Sequence, residues 1–228
     1  MRPMVAVIIP ALNEAECIGE LVRATFAQAV VQRVIVVDNG STDGTGEAAE
    51  RMGAEVVRES RRGYGAACAA GVRAAAGAAV LAFMDADHSF LPQELPRVLG
   101  PVLEGRADLS LGSRALGDVQ RGSMPPQQIF GNWLSAALIR ALYGVRVSDL
   151  GPFRAVRREA VLALDMGEMT FGWPTEMLVK MARRKQRIVE VPVSYHTRRA
   201  GQSKVSGTLR GTVLAGYRIL SVTLRYAF

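Results

Sequence analysis

The chain has 228 residues, of which 49% are hydrophobic and 21% charged. This composition is typical of a folded domain with a sizeable core, and it excludes a disordered chain. The two cysteines, Cys17 and Cys68, and two histidines are too few for a disulfide scaffold or a cysteine/histidine zinc site. No apolar run reaches the roughly 18 residues of a bilayer span, and the first ten residues lack a signal-peptide pattern. We therefore expect an intracellular protein.

The charge is concentrated near the C-terminus. The net charge is +7, from 28 Lys/Arg and 21 Asp/Glu, but residues 183–228 contain ten basic residues and the single acid Glu190. That segment therefore carries +9 and the rest of the chain −2. A positive end on a nearly neutral body predicts a polyanionic partner, such as phosphate groups, an anionic membrane face or nucleic acid.

Strand and helix patterns alternate over the first half of the chain. Continuous apolar, β-branched runs are typical of strands that are buried on both faces. The predicted strands are Val5–Pro10, Val34–Asp38, Ala54–Arg58, Ala79–Met84 and Asp108–Gly112. The predicted helices between them are Asn13–Phe26, Thr45–Met52, Gly65–Ala76 and Pro92–Leu103. This alternation predicts an α/β fold with a doubly wound, mainly parallel sheet and helices on both faces.

The pattern changes after about residue 115. Pro125 and Pro126 precede a helical stretch with one apolar face, formed by Ile129, Trp133, Ala137, Leu138 and Leu142. Two further strands are predicted at Phe153–Val156 and Ile188–Val193, and a helix is predicted between them at about Thr175–Arg184.

An amphipathic helix is predicted for the C-terminal segment 205–228, after a domain of residues 1–204. Its apolar residues recur at steps of three or four and fill one stripe: Val205, Leu209, Val213, Tyr217, Leu220 and Leu224. Arg210, Arg218 and Arg225 lie outside the stripe. Such a helix either packs on the body or lies in a membrane interface.

Charged residues follow four of the predicted strands. Glu14 follows the first strand, Asp38 ends the second, the Asp85–Asp87 motif follows the fourth and Arg114 follows the fifth. Ligands of an open parallel sheet bind beyond the carboxyl ends of its strands. The sequence therefore predicts one binding site at this edge of the sheet.

The spacing of Asp85 and Asp87 suits a hard divalent cation, because Mg²⁺ usually takes one or two carboxylates together with diphosphate oxygens. The alternative is a helix cap or a turn. Glu14 and Asp38 are placed to accept hydrogen bonds from a base and a ribose, or to serve as caps and turn formers. The glycines near Gly63 do not have the spacing of a dinucleotide-binding motif, and no Walker A loop is present.

Six segments together resemble a known family. VIIPALNEAE, VVDNGSTDGT, MDADHS, GSR, DLGPFRA and RRAGQSK occur in this order, and the chain is similar to family 2 glycosyltransferases of the GT-A fold. Within them it resembles the dolichyl- or polyprenyl-phosphate glycosyltransferases. The resemblance implies a GT-A sheet and a nucleotide held by Pro10, Ala11, Glu14 and Asp38.

The same resemblance places the diphosphate and the metal. It implies that Asp85, Ala86 and Asp87 lie along the ribose and diphosphate, with Asp87 on the metal. It also implies that Arg114, Arg198 and Lys204 hold phosphates. Where many relatives have a glutamine as a further metal ligand, this chain has Ser89, preceded by His88. We expect Asp87, with Asp85 and Ser89, to hold Mg²⁺ or Mn²⁺.

The implied reaction moves a hexose, with inversion, from a nucleoside diphosphate sugar of the GDP-mannose or UDP-glucose type to a polyprenyl or dolichyl phosphate. A phosphate acceptor needs no general base, but it needs cations, and Arg114, Arg198, Arg199 and Lys204 can supply them. A sugar or alcohol hydroxyl would need a base.

Glu176 is the first candidate for that base and Asp149 the second. Each also has a structural interpretation. Glu176 would be a first-turn acid that complements a helix dipole, and Asp149 would pair with Arg154.

The basic amphipathic tail predicts a cytoplasmic protein that binds peripherally to the anionic cytoplasmic face of the membrane. A nucleic-acid partner is not expected, because aromatic residues make up 6% of the chain and no recognition motif is present. A sugar-phosphate nucleotidyltransferase is the other enzymatic alternative. It is disfavoured because the segment 11–14 lacks the glycine-rich basic loop that a triphosphate requires.

Overall fold

A computed structural model describes residues 3–199 and 209–227. Its strands are β1 (Val5–Ala11), β2 (Arg33–Asp38), β3 (Glu55–Arg58), β4 (Val80–Phe83), β5 (Leu109–Ser113), β6 (Arg154–Arg157) and β7 (Ile188–Pro192). Its α-helices are α1 (Ala15–Phe26), α2 (Thr45–Arg51), α3 (Tyr64–Ala74), α4 (Leu95–Leu103), α5 (Pro126–Tyr143), α6 (Arg158–Ala163), α7 (Trp173–Arg183) and α8 (Leu209–Arg225). A short 3₁₀ helix, Pro92–Glu94, precedes α4.

The strands form one sheet in the order β3-β2-β1-β4-β6-β5-β7. Neighbouring strands are parallel, except that β6 runs antiparallel to both β4 and β5. The predicted α/β architecture with a mainly parallel sheet is therefore confirmed. The insertion of β6 between β4 and β5 brings the loop that precedes it, residues 148–153, to the carboxyl ends of its neighbours.

Strand β1 shows why the apolar runs are continuous. Val7 and Ile9 belong to a core that also contains Ile18 of α1. Ile8 belongs to a second core, on the other face, with Trp173 of α7. Successive side chains of a strand point to opposite faces, so a strand covered by helices on both sides needs apolar residues at every position. The predicted helices on both faces are confirmed.

The glycines of the α3 region provide close packing. A Cβ atom at Gly71 would lie 2.4 Å from Cγ2 of Ile8, and one at Gly65 would lie 2.5 Å from the carbonyl oxygen of Glu168. Both distances are shorter than atoms can approach, so the helix depends on glycine at these positions to reach its neighbours. This packing role accounts for the glycines without a dinucleotide-binding loop.

Helix α8 packs against the body, but two residues of the predicted stripe face away from it. Its buried residues include Val222 and Thr223, and the backbone carbonyl of Thr223 accepts a hydrogen bond from the Tyr143 hydroxyl of α5 at 2.5 Å. Tyr217 and Leu224 of the predicted stripe are instead exposed. Val205 and the predicted domain boundary at 204 lie outside the described residues.

Helix α5 likewise exposes its predicted apolar face. Ile129 and Trp133 are 53% and 62% exposed, whereas Ser135, Ala136 and Ile139 form the buried side. Among the helices of the described residues, none combines the length and hydropathy needed to cross a membrane.

Candidate active site

A cleft of about 560 Å³ lies beyond the carboxyl ends of β1, β4 and β5. Most of the site residues predicted from the strand ends and from the family resemblance line it. These are Pro10, Ala11, Glu14, Asp85, Ala86, Asp87, Arg114 and Arg198. The strand-end rule therefore located the cavity, although Asp38 is not among its lining residues.

Arg198 joins two of the predicted carboxylates. Its Nη1 donates to both oxygens of Glu14, at 2.8 and 3.1 Å, and its Nη2 lies 3.0 Å from Oδ2 of Asp87. The guanidinium is thus an internal cation between two acids that come from different strand ends. This arrangement compensates the negative charge of the cleft.

The second oxygen of Asp87 is held by Ser89. Oδ1 accepts hydrogen bonds from the Ser89 backbone N–H at 3.0 Å and from its hydroxyl at 2.6 Å. Ser89 is only 1% exposed and does not line the cleft. This placement favours a supporting role for Ser89, which orients Asp87. Its role as a metal ligand stays a prediction.

Asp85 has an unusual environment at the floor of the cleft. Burial raises the pKa of its carboxyl to about 7, the neighbouring charge of Asp87 acts in the same direction, and a hydrogen bond from Tyr64 opposes them. The Tyr64 hydroxyl donates to Oδ1 at 3.3 Å. Asp85 therefore changes its charge close to neutral pH.

Arg114 is held by Asp149 in a buried ion pair. The backbone N–H and Nε of Arg114 donate to Oδ2, and Nη2 donates to Oδ1, each at 2.7 Å. The guanidinium also lies 5.1 Å from the centre of the Tyr195 ring. This bidentate geometry fixes the arginine in the cleft wall.

The expected pairing of Asp149 with Arg154 is wrong. Asp149 is saturated by Arg114, which lies 35 residues away in sequence. Arg154 instead donates to the carbonyl oxygens of Leu150, Gly151 and Pro174. Arg154 therefore holds the backbone of the loop that follows Asp149 and not the Asp149 carboxylate.

Glu176 is fully buried and is not among the residues that line the cleft. Its carboxylate accepts hydrogen bonds from the backbone N–H groups of Gly167 and Glu168 and from the hydroxyl of Tyr226, and it lies 2.8 Å from Nζ of Lys180. Burial acts to raise its pKa, but these donors outweigh burial and leave the pKa lowered. This placement favours the structural interpretation, and a role as a base stays a prediction.

Three further predicted residues lie outside the cleft or outside the described structure. Asp38 is buried, and its Oδ1 accepts the backbone N–H of Ser41 at 2.8 Å, which is a turn-forming contact. Arg199 is exposed and pairs with Glu20 at 2.7 Å. Lys204 lies outside the described residues. Ligand-binding roles for these three stay predictions.

The cleft also contains residues that sequence reasoning missed. They are polar or aromatic and come from loops and helices: Asn39, Arg62, Tyr64, Gln128, Tyr195 and Arg218. Tyr195 follows β7, so the strand-end rule would have found it had it been applied to that strand. Gln128 and Arg218 lie on helices α5 and α8, and the sequence pattern does not predict where these helices pack against the sheet.

The donor set fits a cation that is shared with a ligand. Within the described part of the chain, no group of three or more acidic, histidine or cysteine side chains is arranged to hold a metal. Asp85 and Asp87 nevertheless bring two carboxylates to the cleft, and Asp87 already accommodates the guanidinium cation of Arg198. Hard cations such as Mg²⁺ complete such a pair with phosphate oxygens and water.

Comparisons with known proteins agree on one family for this chain. The model of glycosyl transferase family 2 matches residues 6–164. An uncharacterized glycosyltransferase of Mycobacterium tuberculosis is 40% identical over 211 residues, which cover 92% of this chain and 94% of that protein. The undecaprenyl-phosphate mannosyltransferase of Micrococcus luteus is 34% identical over 220 residues, which cover 91% and 89% of the two chains.

Among solved structures, glucosyl-3-phosphoglycerate synthase from Mycobacterium tuberculosis has the same fold. Its complex with Mn²⁺, UDP and phosphoglyceric acid matches with a TM-score of 0.81 and 23% identity, covering 99% of this chain and 78% of that one. The likeness confirms the predicted GT-A fold. Together with the family match over more than half of the sequence, it shows that this chain is a glycosyltransferase and belongs to glycosyl transferase family 2.

Proposed function

We propose that this enzyme transfers a hexose, with inversion, from a nucleoside diphosphate sugar to a polyprenyl phosphate in a Mg²⁺- or Mn²⁺-dependent reaction. One observation carries the proposal: the carboxylates Asp85 and Asp87 and the arginines Arg114 and Arg198 line the same cleft. Carboxylates suit a cation that bridges a diphosphate, and arginines suit phosphate oxygens. A donor of the GDP-mannose or UDP-glucose type meets both requirements.

The part of the site that binds the donor must neutralise the negative charge of the leaving diphosphate. A divalent cation on Asp87 and Asp85 would supply charge neutralisation as the diphosphate departs. Ser89 fixes the rotamer of Asp87 through two hydrogen bonds. Arg198 pairs with Asp87 in the described structure, and its guanidinium would turn to the phosphates when a cation takes that oxygen. Pro10 and Ala11, at the end of β1, would form the wall against the nucleotide.

The hydrogen bonds of the two predicted bases, Asp149 and Glu176, favour a phosphate acceptor over a hydroxyl acceptor. Both oxygens of Asp149 accept hydrogen bonds from Arg114, and Glu176 lies outside the cleft among its own donors. A hydroxyl acceptor would require one of them to accept a proton. A lipid phosphate is already anionic and requires only cations, which Arg114 and Arg198 supply.

The surface beside the cleft suits a lipid. We call the exposed residues Ile129, Phe130 and Trp133 of α5 and Leu214, Tyr217 and Leu224 of α8 the apolar face. Leu214 also lines the cleft, as does Gln128, which precedes Ile129. Exposed aromatic and aliphatic groups on neighbouring helices are typical of interfacial membrane binding. The prenyl chain would leave the cleft along this face, with the enzyme bound peripherally to an anionic membrane.

The undecaprenyl-phosphate mannosyltransferase relative supports the same acceptor class. The glucosyl-3-phosphoglycerate synthase complex, which contains Mn²⁺ and UDP, supports a metal-assisted nucleotide site in a protein of the same fold.

The test is a transfer assay with purified protein, labelled GDP-mannose or UDP-glucose, and liposomes that contain either polyprenyl phosphate or the matching polyprenol. We expect label in the lipid only with the phosphate and only with Mg²⁺ or Mn²⁺. Equal transfer to the polyprenol, or equal transfer in excess chelator, would overturn the corresponding part of the proposal. Glu176→Gln separates the alternatives, since it should retain transfer to the phosphate if no base is needed.

A further inference from the structure

Glu190, the one acid of the basic segment 183–228, lies on β7 and holds the loop before β6. Its carboxylate accepts the backbone N–H of Ser148 at 2.9 Å and the Ser148 hydroxyl at 2.9 Å. It also accepts the backbone N–H of Asp149 at 3.1 Å. Asn132 of α5 also holds this loop, through the carbonyl oxygen of Ser148 and the backbone N–H of Leu150. Glu190 is the side chain that holds the backbone N–H groups of both Ser148 and Asp149.

The loop in turn holds Arg114. Asp149 receives three hydrogen bonds from Arg114, all at 2.7 Å. The Ser148 hydroxyl lies 2.7 Å from that of Ser113, the residue that precedes Arg114. Contacts therefore lead from Glu190 to both the side chain and the backbone of Arg114, whereas Glu190 itself does not line the cleft.

The hydrogen bonds to Asp149 determine which way the guanidinium of Arg114 faces. Glu190 holds the backbone N–H of Asp149, and the carboxylate of Asp149 accepts hydrogen bonds from Nε and Nη2 of the Arg114 guanidinium fork. Nε and one hydrogen of Nη2 are thereby used for Asp149, and in the proposed site the other N–H groups of the guanidinium would donate to a ligand oxygen. If Asp149 lost its backbone anchor, the fork would rotate and its donors would point elsewhere.

We propose that Glu190 is a positioning residue that orients Arg114 toward the acceptor phosphate through Ser148 and Asp149. This inference rests on the proposed function, in which Arg114 binds that phosphate. Glu190 does not touch substrate, so it acts on the affinity and alignment of the acceptor and leaves the donor site unchanged.

The first test is a double-mutant cycle of Glu190→Gln with Arg114→Lys. Glutamine keeps the shape of Glu190 but replaces one acceptor oxygen with a donor, so one N–H of the loop loses its partner. We expect Glu190→Gln to lower kcat/KM for polyprenyl phosphate about tenfold, mainly through KM, with the donor KM unchanged. When Arg114→Lys is already present, we expect Glu190→Gln to change kcat/KM by less than a further twofold, because the bidentate contact of the guanidinium with Asp149 is already lost.

Asp108→Asn is the matched control. Asp108 is also a carboxylate near the β5–β7 pair, and it accepts the backbone N–H of Arg187 at 2.9 Å and its Nη2 at 2.9 Å. It lies at the opposite ends of these strands from the cleft. We expect this substitution to lower stability without changing the acceptor KM. Full additivity of Glu190→Gln with Arg114→Lys would overturn the proposal.

A second measurement does not depend on activity. The Nε–H of Arg114 can be followed by ¹⁵N NMR and assigned by its loss in Arg114→Lys. We expect its exchange with water to accelerate at least tenfold in Glu190→Gln and to stay unchanged in Asp108→Asn. Unchanged exchange in Glu190→Gln would refute the positioning role. If the wild-type enzyme transferred no sugar to any polyprenyl phosphate, the proposed function would fail, and this measurement would still decide the coupling of Glu190 to Arg114.

Discussion

The guanidinium of Arg198 lies 3.0 Å from the carboxylate of Asp87, although the two residues come from distant parts of the chain. The same guanidinium binds Glu14. An arginine thus lies on the carboxylate that the family resemblance assigns to the metal, so a cation bound as proposed would compete with the guanidinium for one oxygen.

Removing this competitor should change metal binding. We expect Arg198→Ala to bind Mn²⁺ several-fold more tightly than the wild type in the absence of nucleotide, because Asp87 and Glu14 lose their internal counter-ion. Transfer activity should fall at least a hundredfold, because the proposed contact of Arg198 with a phosphate would be lost. Titration calorimetry with Mn²⁺ measures the first effect. Arg199→Ala, which removes only the exposed pair with Glu20, is the control and should leave Mn²⁺ affinity unchanged.

The buried pair of Arg114 and Asp149 should contribute strongly to stability. Asp149→Asn leaves the Arg114 guanidinium buried without a counter-charge, which typically costs about 3–5 kcal/mol. Urea unfolding of the full chain measures the loss. The exposed bidentate pair of Arg33 and Glu55 provides the comparison, since Glu55→Gln should cost less than about 1 kcal/mol. Similar losses in the two variants would show that Asp149 is not a buried counter-ion.

Asp85 should make stability depend on pH. Its pKa of about 7 in the folded protein exceeds the ~3.9 of an unfolded aspartate, so the folded state binds the extra proton. That contribution is complete below about pH 4 and is lost as the pH rises through 7. A pKa difference of about three units is worth roughly 4 kcal/mol. Asparagine stays uncharged, so we expect Asp85→Asn to be more stable than wild type by up to about 4 kcal/mol at pH 8 and by only about 1 kcal/mol at pH 4.5.

Urea unfolding at the two pH values tests this expectation, with Asp118→Asn at an exposed position as the control. A pH-independent difference between Asp85→Asn and wild type would contradict it. Tyr64 can still donate to the asparagine oxygen, so the substitution preserves the observed contact with Oδ1.

The apolar face should be needed for lipid binding but not for folding. Phe130→Ser and Trp133→Ser together remove two side chains that are about 60% exposed, so little core packing is lost. We expect the double variant to float at least fivefold less with anionic liposomes, at unchanged Tm. Leu162→Ser, another exposed apolar position on α6, should float like wild type. If the wild type, the double variant and Leu162→Ser floated equally, the apolar face would not be needed for lipid binding.

The periodicities of the sequence predicted local structure well. Continuous apolar runs located the buried strands, and the strand-end rule brought Glu14, Asp85 and Arg114 to one cleft. These inferences need only the chain direction and the alternation of strands with helices. They did not predict that β6 would run antiparallel between β4 and β5, because that placement depends on contacts between distant segments.

Side-chain partners were harder to predict than positions. The actual partner of Asp149 is Arg114, because tertiary proximity and not sequence distance decides an ion pair. The stripe that contains Tyr217 was correctly identified as apolar, yet hydrophobic spacing does not state whether a helix turns that side to the protein or to its surroundings. The sides of α5 and α8 that face the body combine apolar residues with small or polar ones: Ile139 and Val222, with Ser135, Ala215 and Thr223.

Helix α8 contributes to two environments at once. Leu214 and Arg218 line the cleft, and Tyr217 and Leu224 project outward from the same helix. The residue that follows its last turn, Tyr226, attaches this end of the helix to the body by a hydrogen bond to Glu176. Because backbone hydrogen bonds make a helix stiff, a displacement of the outer side of α8 would also displace Leu214 and Arg218 in the wall of the cleft. In the proposed function, binding of the enzyme to a membrane would therefore be coupled to the shape of the cleft through this one helix.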